Sequence, residues 1–321
     1  MSKNQWNIVK DMREKDKTFL KRYFELFVIL PFILLWIVMV LFAGMPVIKF
    51  GENGFGSGFL HYVFPLLFAT VVHVIAMVLF RLLGKAKQGI TLKETFVSLL
   101  YIPYICAVFF LHFNFKAWMP LVNSLSYDSI FYYLDNLTPL ASFLELAANA
   151  FDKGSFFSEL YFFIFFAMFM ISFIFHSAMD TFLNFRKVVT GTCIILLLGG
   201  VLYWVMPAVG PFIFEKSKLL GFSEEQEGMY NMYLILKNTG IVPEGYFGLS
   251  LAAMPSLHTA NSLYFLLCAK RSQPLLFVLY IPAFIFILIV AVASKYHYIV
   301  DLFFGAILAM FVYILMNKVF D

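Results

Sequence analysis

Apolar residues fill long uninterrupted stretches of this chain, and polar residues are largely confined to the segments between them. A helix needs roughly 20 apolar residues to cross about 30 Å of hydrocarbon. Eight stretches approach or reach that length, at residues 24–47, 60–83, 95–113, 158–184, 188–206, 255–269, 274–293 and 297–317. The pattern predicts an all-α polytopic membrane protein with about eight transmembrane helices.

Two polar segments, 114–157 and 207–254, are much longer than the other connections. Segments of this length are typically functional rather than simple connectors. We divide the chain into a polar N-terminal segment (1–23), two N-terminal helices within 24–94, and a six-helix core (95–321) that carries both long segments.

Composition supports a membrane protein, since 62% of the residues are hydrophobic and only 13% are charged, against about a quarter charged in soluble domains. The net charge of +4 and the lack of an aromatic-basic repeat argue against nucleic-acid binding. The three cysteines are scattered through apolar stretches without paired spacing, so no disulfide framework, metal site or cofactor is predicted. No pattern defines an oligomeric state.

Basic residues give the predicted helices an orientation, because cytoplasmic loops of membrane proteins are enriched in Lys and Arg. If the N-terminus is cytoplasmic, the inner segments hold most of the 23 basic residues. They include every arginine of the chain, which are Arg13, Arg22, Arg81, Arg186 and Arg271. We therefore predict that both termini are inside and that both long polar segments are outside.

Two short polar motifs stand at predicted helix ends. One runs from Ala253 to Thr259 and contains His258, and the other runs from Ser294 to Asp301 and contains His297. In the predicted orientation both histidines lie at the outer surface, although they played no part in the charge count. His297 and Asp301 are four residues apart and would share a helix face.

This combination of residues suits phosphoryl transfer. A carboxylate that holds one imidazole nitrogen leaves the other free as a nucleophile, and a second, protonated histidine can donate a proton to a leaving oxygen. The alternative is that the two histidines are unrelated interfacial residues. No HExxH or GxSxG motif is present, so metallohydrolase and serine-hydrolase mechanisms lack their parts.

The four-residue spacing occurs a second time, at His176 and Asp180. This pair falls near the predicted cytoplasmic end of its span, and we interpret it as a structural pair between helices. The remaining histidines have no carboxylate at helical spacing and are given no role; they are His61, His73 and His112.

Pro255-Ser-Leu-His258 and His297-Tyr-Ile-Val-Asp301 resemble the second and third motifs of the type 2 phosphatidic acid phosphatase superfamily. The residue pattern of these motifs is most similar to the inositol phosphorylceramide synthase branch. Gly305 after the second motif and a proline-bearing segment from Pro207 to Pro211 add to this likeness. The likeness is strong over residues 186–321, weaker near 113–136, and absent from the first two spans.

The resemblance implies roles for individual residues. His297 would be the nucleophile that forms a phosphohistidine, Asp301 its orienting partner, and His258 the acid that protonates the leaving group. Ser256 would hydrogen-bond a phosphoryl oxygen.

The chain departs from the superfamily in one respect, because its first motif, Lys-x6-Arg-Pro, is absent. The phosphoryl oxygens still need positive charge in the transition state, and no arginine lies in the predicted outer segments. We expect lysine to supply the charge, with Lys295 as the first candidate, followed by Lys116 and Lys237.

We predict an integral membrane lipid phosphotransferase with its active site facing the periplasm, cell exterior or secretory lumen. Its partners would be membrane lipids: a phospholipid donor, and a lipid alcohol or water as acceptor. One alternative is a lipid phosphate phosphatase of the same mechanism. A second is a non-enzymatic transporter or assembly subunit, which would require charged residues along a path through the bilayer.

Overall fold

The computed structural model describes residues 21–47, 71, 74–75, 78–79, 82–83, 97–98, 100–137, 155–214, 224–243 and 252–320. Every regular element in these ranges is a helix. In chain order they are α1 (Phe24–Leu41), α2 (Tyr101–Val122), α3 (Asp128–Asn136), α4 (Ser155–Met179), α5 (Phe182–Val205), α6 (Pro211–Phe214), α7 (Glu224–Thr239), α8 (Leu257–Ser272), α9 (Pro274–Ala293) and α10 (Ile299–Phe320).

Six of these helices are long and apolar enough to cross a membrane: α1, α2, α4, α5, α9 and α10. The prediction of a multi-pass, all-helical membrane protein is confirmed at this level. The predicted span at 60–83 lies largely outside the described residues. The predicted span at 255–269 corresponds to α8, which has 16 residues and is not among the six. The count of eight and the orientation of the termini stay predictions.

Helix α8 lies at the centre of the bundle and packs against α4, α5, α9 and α10. Its interior position explains its composition, because Thr259, Asn261 and Ser262 are almost completely buried against protein. Within lipid or protein, a polar side chain must find its partners in the chain itself. The Asn261 side chain does so by donating to the carbonyl of Leu257 at 3.0 Å.

Helix α2 continues to Val122, although the apolar pattern predicts its end at residue 113. Asn114 and Lys116 lower the hydropathy of this stretch, but neither breaks the helix. Asn114 is fully buried and its Nδ2 donates to the carbonyl of Phe110 at 2.8 Å. The predicted outer segment 114–157 therefore begins with further turns of a buried helix.

The two ends of the bundle differ in chemistry. At one end Arg186 Nη2 lies 2.8 Å from Glu25 Oε2, and Arg271 donates to Asn317 Oδ1 at 2.9 Å. His258 lies in the first turn of α8, and His297 lies just before α10. The opposite ends of these two helices carry basic residues, which are Lys270, Arg271 and Lys318. The candidate site and these arginines thus lie at opposite ends of the helices.

Helices α8 and α10 approach closely at Gly305. A Cβ placed on Gly305 would collide with the carbonyl oxygen of Ser256 and lie 3.3 Å from Thr259 Cβ. Because the first obstacle is backbone, a side chain here cannot be accommodated by a rotamer change. This contact sets the distance between the helices that carry the two motifs.

We expect Gly305→Ala to destabilise the protein by about 1–3 kcal/mol through overpacking, seen as a lower Tm in detergent. Gly228→Ala is the matched control, because Gly228 lies in α7 and an added Cβ there meets nothing within 4 Å. Alanine at that position should preserve or raise the Tm, since glycine disfavours a helix. Equal losses in both variants would contradict the packing argument.

Candidate active site

The first motif forms the start of α8. Ser256 is the N-cap, and its Oγ accepts from the backbone N–H of Thr259 at 3.4 Å and from Thr259 Oγ1 at 3.1 Å. Capping by serine is a common way to begin a helix. The Ser256 hydroxyl proton is not used in these two bonds. His258 follows in the first turn and is half-buried.

The second motif occupies a tight turn between α9 and α10. Lys295 has a φ of 59°, in the left-handed region that residues other than glycine, asparagine and aspartate seldom adopt. The backbone N–H of His297 then donates to the carbonyl of Ala291 at 3.1 Å. The chain thereby reverses before α10 begins.

His297 and Asp301 meet, but not on a shared helix face as the spacing predicts. His297 lies before α10, which begins at Ile299. Its Nδ1 is 3.4 Å from Asp301 Oδ2, and within the described residues that nitrogen makes no hydrogen bond. Asp301 is fully buried, and its Oδ2 also accepts the N–H of Tyr298 at 2.9 Å. The carboxylate both caps the helix start and faces the imidazole.

The two motif histidines lie side by side, with ring centroids 6.1 Å apart. His297 is 6% exposed. Three aromatic rings of α4 surround His258, with centroid distances of 4.4 Å for Phe165, 5.0 Å for Tyr161 and 5.8 Å for Phe162. Aromatic rings of α4 therefore border the half-buried His258, and His297 beside it is largely buried.

Helix α2 brings Lys116 and His112 toward the same region. They are four residues apart and share a helix face. The charge of Lys116 interacts with both His112 and His258, and His112 interacts with His258 as well. The His112 ring lies 6.2 Å from that of Tyr203. His112, which belongs to neither motif, is thus coupled electrostatically to His258.

The other two candidate lysines lie in different places. Lys295 is half-buried in the turn before His297, and its carbonyl accepts from Phe212 N at 3.1 Å. Lys237 is on the exposed side of α7, where its ammonium lies 5.7 Å from the ring centroid of Tyr233. The described contacts do not join Lys237 to either motif histidine.

Two acidic residues of α3 contact the site, and the sequence analysis missed both. Asp128 accepts from Tyr298 Oη at 3.0 Å, and Asp135 accepts from the backbone of Ile299 at 2.8 Å. In an extramembrane segment acids are ordinarily solvated. The available signal was their seven-residue spacing, which places both on one face of a helix.

The second His–Asp pair has different surroundings. His176 Nδ1 lies 2.9 Å from Asp180 Oδ2, and Asp180 Oδ1 accepts from the N–H of Thr181 and from Asn184 Nδ2. These bonds join the end of α4 to the start of α5, in keeping with a structural pair. Across the described residues, no group of three or more His, Cys, Asp or Glu side chains is arranged to hold a metal ion.

The acidity of Asp135 gives a test of its contact with α10. Burial raises the pKa of this carboxyl to about 6, although the bonds from Ile299 and Val300 act to lower it. A raised pKa means that the folded protein binds the proton more tightly than the unfolded chain does. The stability that this group contributes is therefore greatest at low pH and is lost as the pH rises through about 6.

We expect the difference in Tm between wild type and Asp135→Asn, taken as wild type minus variant, to fall between about pH 4 and about pH 7. The amide cannot titrate, so the other ionisable groups cancel in the comparison. A difference that is constant or rises over this range would contradict the raised pKa.

Comparison with known proteins agrees with the motif geometry. A family model described as the PAP2 superfamily matches residues 140–315, which is more than half of the chain and includes both motifs. No curated protein and no solved structure gives a significant match. The chain belongs to the PAP2 superfamily, the type 2 phosphatidic acid phosphatases.

Proposed function

We propose that this protein is an integral membrane lipid phosphotransferase that moves a phospho-headgroup between lipids through a phosphohistidine on His297. Family membership suggests a phosphatase-type enzyme, and the apolar helical fold fits one that acts on membrane lipids. The observation that carries the proposal is the proximity of the His258 and His297 rings, whose centroids are 6.1 Å apart. Asp301 Oδ2 lies 3.4 Å from His297 Nδ1.

In the first step, His297 attacks the phosphorus of the donor lipid. Asp301 faces Nδ1, so Nδ1 carries the proton and Nε2 presents its lone pair. The new N–P bond forms as the P–O bond to the donor alcohol breaks. Protonated His258 gives its proton to the departing oxygen, which leaves a phosphohistidine and a neutral His258.

In the second step, His258 acts as the base. It takes the proton from the hydroxyl of the acceptor, whose oxygen attacks the phosphorus as the N–P bond breaks. His297 is restored, His258 is again protonated, and the headgroup has moved to the acceptor. No net proton is consumed when both alcohols are neutral.

The enclosure of the site favours a lipid alcohol over water as the acceptor. His297 is largely buried, and Tyr161, Phe162 and Phe165 border the half-buried His258. A site that excludes bulk water protects a reactive intermediate from hydrolysis. The resemblance of the motifs to the inositol phosphorylceramide synthase branch also favours a lipid alcohol as the acceptor. A phosphatase would use the same two steps with water as the acceptor.

Lysine replaces the missing arginine motif in this proposal. Lys116 is the better supported, because its charge interacts with His258 from a half-buried position on α2. Lys295 adjoins His297 and has a backbone conformation that is often retained for function. Lysine acts as a point charge rather than a bidentate fork. Ser256 would donate a hydrogen bond from its hydroxyl. Lys237 would add positive charge only if α7 moved toward the motif histidines.

The proposed site faces the outside, because the motifs lie opposite the arginine-bearing end of the bundle and arginine favours the cytoplasmic side. Donor and acceptor would then enter from the outer leaflet.

We expect His297→Ala to abolish transfer of label from a radiolabelled phospholipid to added ceramide or diacylglycerol, because no phosphohistidine can form. His258→Ala should lower kcat by about 10²–10⁴-fold through loss of proton transfer. Purified protein in detergent is assayed for lipid product, free phosphate and acid-labile phosphoenzyme. Equal transfer by wild type and His297→Ala would refute the enzyme, and free phosphate without a lipid product would identify a phosphatase.

We expect Lys116→Met to lower kcat by about 10²-fold, since loss of one group that stabilises transition-state charge typically has an effect of this size. Lys295→Met should act in the same direction. Lys318→Met is the matched control, because Lys318 is exposed in the last turn of α10, at the far end of the bundle. Loss of activity only in the control, or in none of the three, would contradict a lysine phosphate site.

A further inference from the structure

The turn that carries His297 has partners far away in the sequence, in the extramembrane helix α3. The start of α10 needs acceptors, because the first N–H groups of any helix have no partner within the helix. Tyr298, directly before α10, cannot cap the helix, since its side chain is a phenol that reaches α3 instead. The acceptors come from Asp135 of α3 and from Asp301.

Asp135 supplies the first set. Its Oδ2 accepts from the N–H of Ile299 at 2.8 Å and its Oδ1 from the N–H of Val300 at 3.3 Å. A carboxylate near a helix N-terminus is also favoured by the helix dipole. The bond from Tyr298 N–H to Asp301 Oδ2 completes the first turn.

Asp128 binds the phenol of Tyr298 rather than a backbone N–H of α10, and it is buried to 1% exposure. Its carboxylate accepts from the backbone of Val209 and Gly210 at 3.0–3.1 Å, from Ser126 Oγ at 2.7 Å, and from Tyr298 Oη at 3.0 Å. A buried polar group is tolerated when it is hydrogen-bonded, and both oxygens of Asp128 accept hydrogen bonds. The Tyr298 ring also packs against Phe131 of α3, with centroids 6.0 Å apart.

These bonds form a continuous path to the proposed nucleophile. Asp128 binds the Tyr298 hydroxyl, the Tyr298 N–H binds Asp301 Oδ2, and that oxygen faces His297 Nδ1. Asp135 fixes the helix turn from which Asp301 projects. A shift of α3 would therefore change the angle between Asp301 and His297.

We propose that Asp128 and Asp135 are positioning residues, which act from α3 to hold the turn of residues 297–301 in the geometry that orients His297. We call the contacts of Asp128 and Asp135 with residues 298–300 the clamp. The effect of the clamp on catalysis rests on the proposed function, whereas its effect on the stability of the turn does not.

The milder variants test the clamp and leave the fully buried Asp128 in place. Tyr298→Phe keeps the ring against Phe131 and deletes the bond to Asp128. Asp135→Ala deletes both acceptors, whereas Asp135→Asn retains one carbonyl oxygen and should partly rescue. Glu227→Ala is the matched control, because Glu227 is an exposed carboxylate of the other extramembrane helix, α7.

The first measurement is kcat and KM for headgroup transfer, normalised to folded protein. We expect kcat to fall about 10- to 100-fold in Tyr298→Phe and Asp135→Ala with KM little changed, because misplacement of a reacting group costs rate rather than binding. The control should match wild type. A merely structural role would lower the folded fraction and leave the normalised kcat unchanged, which would overturn the proposal.

The second measurement is hydrogen exchange at the amides of residues 298–301, and it needs no activity. Exchange should be at least about ten-fold faster in Asp135→Ala, and intermediate in Asp135→Asn, because local opening becomes easier when acceptors are lost. If wild type shows no transfer but exchange responds, the proposed function fails and the clamp stands. If wild type transfers headgroups and neither exchange nor kcat responds, the clamp fails and the function stands.

Discussion

The first backbone N–H groups of a helix have no partner within the helix and need acceptors from elsewhere, and where the helix start is partly buried the protein itself can supply them. This requirement determines the backbone hydrogen bonds at the end of the bundle that carries the motifs. Ile299 and Val300 obtain their acceptor from α3, and the carbonyl of Lys295 is bound by Phe212. The position of His297 follows from bonds that the start of α10 requires in any case.

Much of the helical layout can be predicted from apolar runs alone, because length and hydropathy define a membrane span. The predicted bounds of α9 agree with the structure. The errors occur where polar residues face protein rather than lipid, as at Asn114 and Lys116, since hydropathy cannot distinguish the two environments. The turn at His297 was also missed, because a spacing of four fits both a helix face and a reversal that ends at a helix start.

The sequence motifs contain the residues proposed to carry the chemistry, whereas the residues that support them belong to no motif. Asp128 and Asp135 look like ordinary solvated acids until the fold places α3 against the second motif. His112 likewise has no carboxylate nearby in the sequence, and its electrostatic coupling to His258 arises only in the folded protein. Contacts between segments that are 100 or more residues apart cannot be read from local spacing.

The bond from Asp135 to Ile299 joins residues 164 positions apart, and this separation has a consequence for biosynthesis. Helix α3 is synthesised well before α10 leaves the ribosome. Until α10 inserts, Asp128 and Asp135 have no partner in the second motif and the His297 turn does not exist. The nascent protein can thus reside in the membrane, with its earlier spans in place, before the second motif has its folded geometry. Insertion of α10 brings His297 and Asp301 to the contacts that α3 provides.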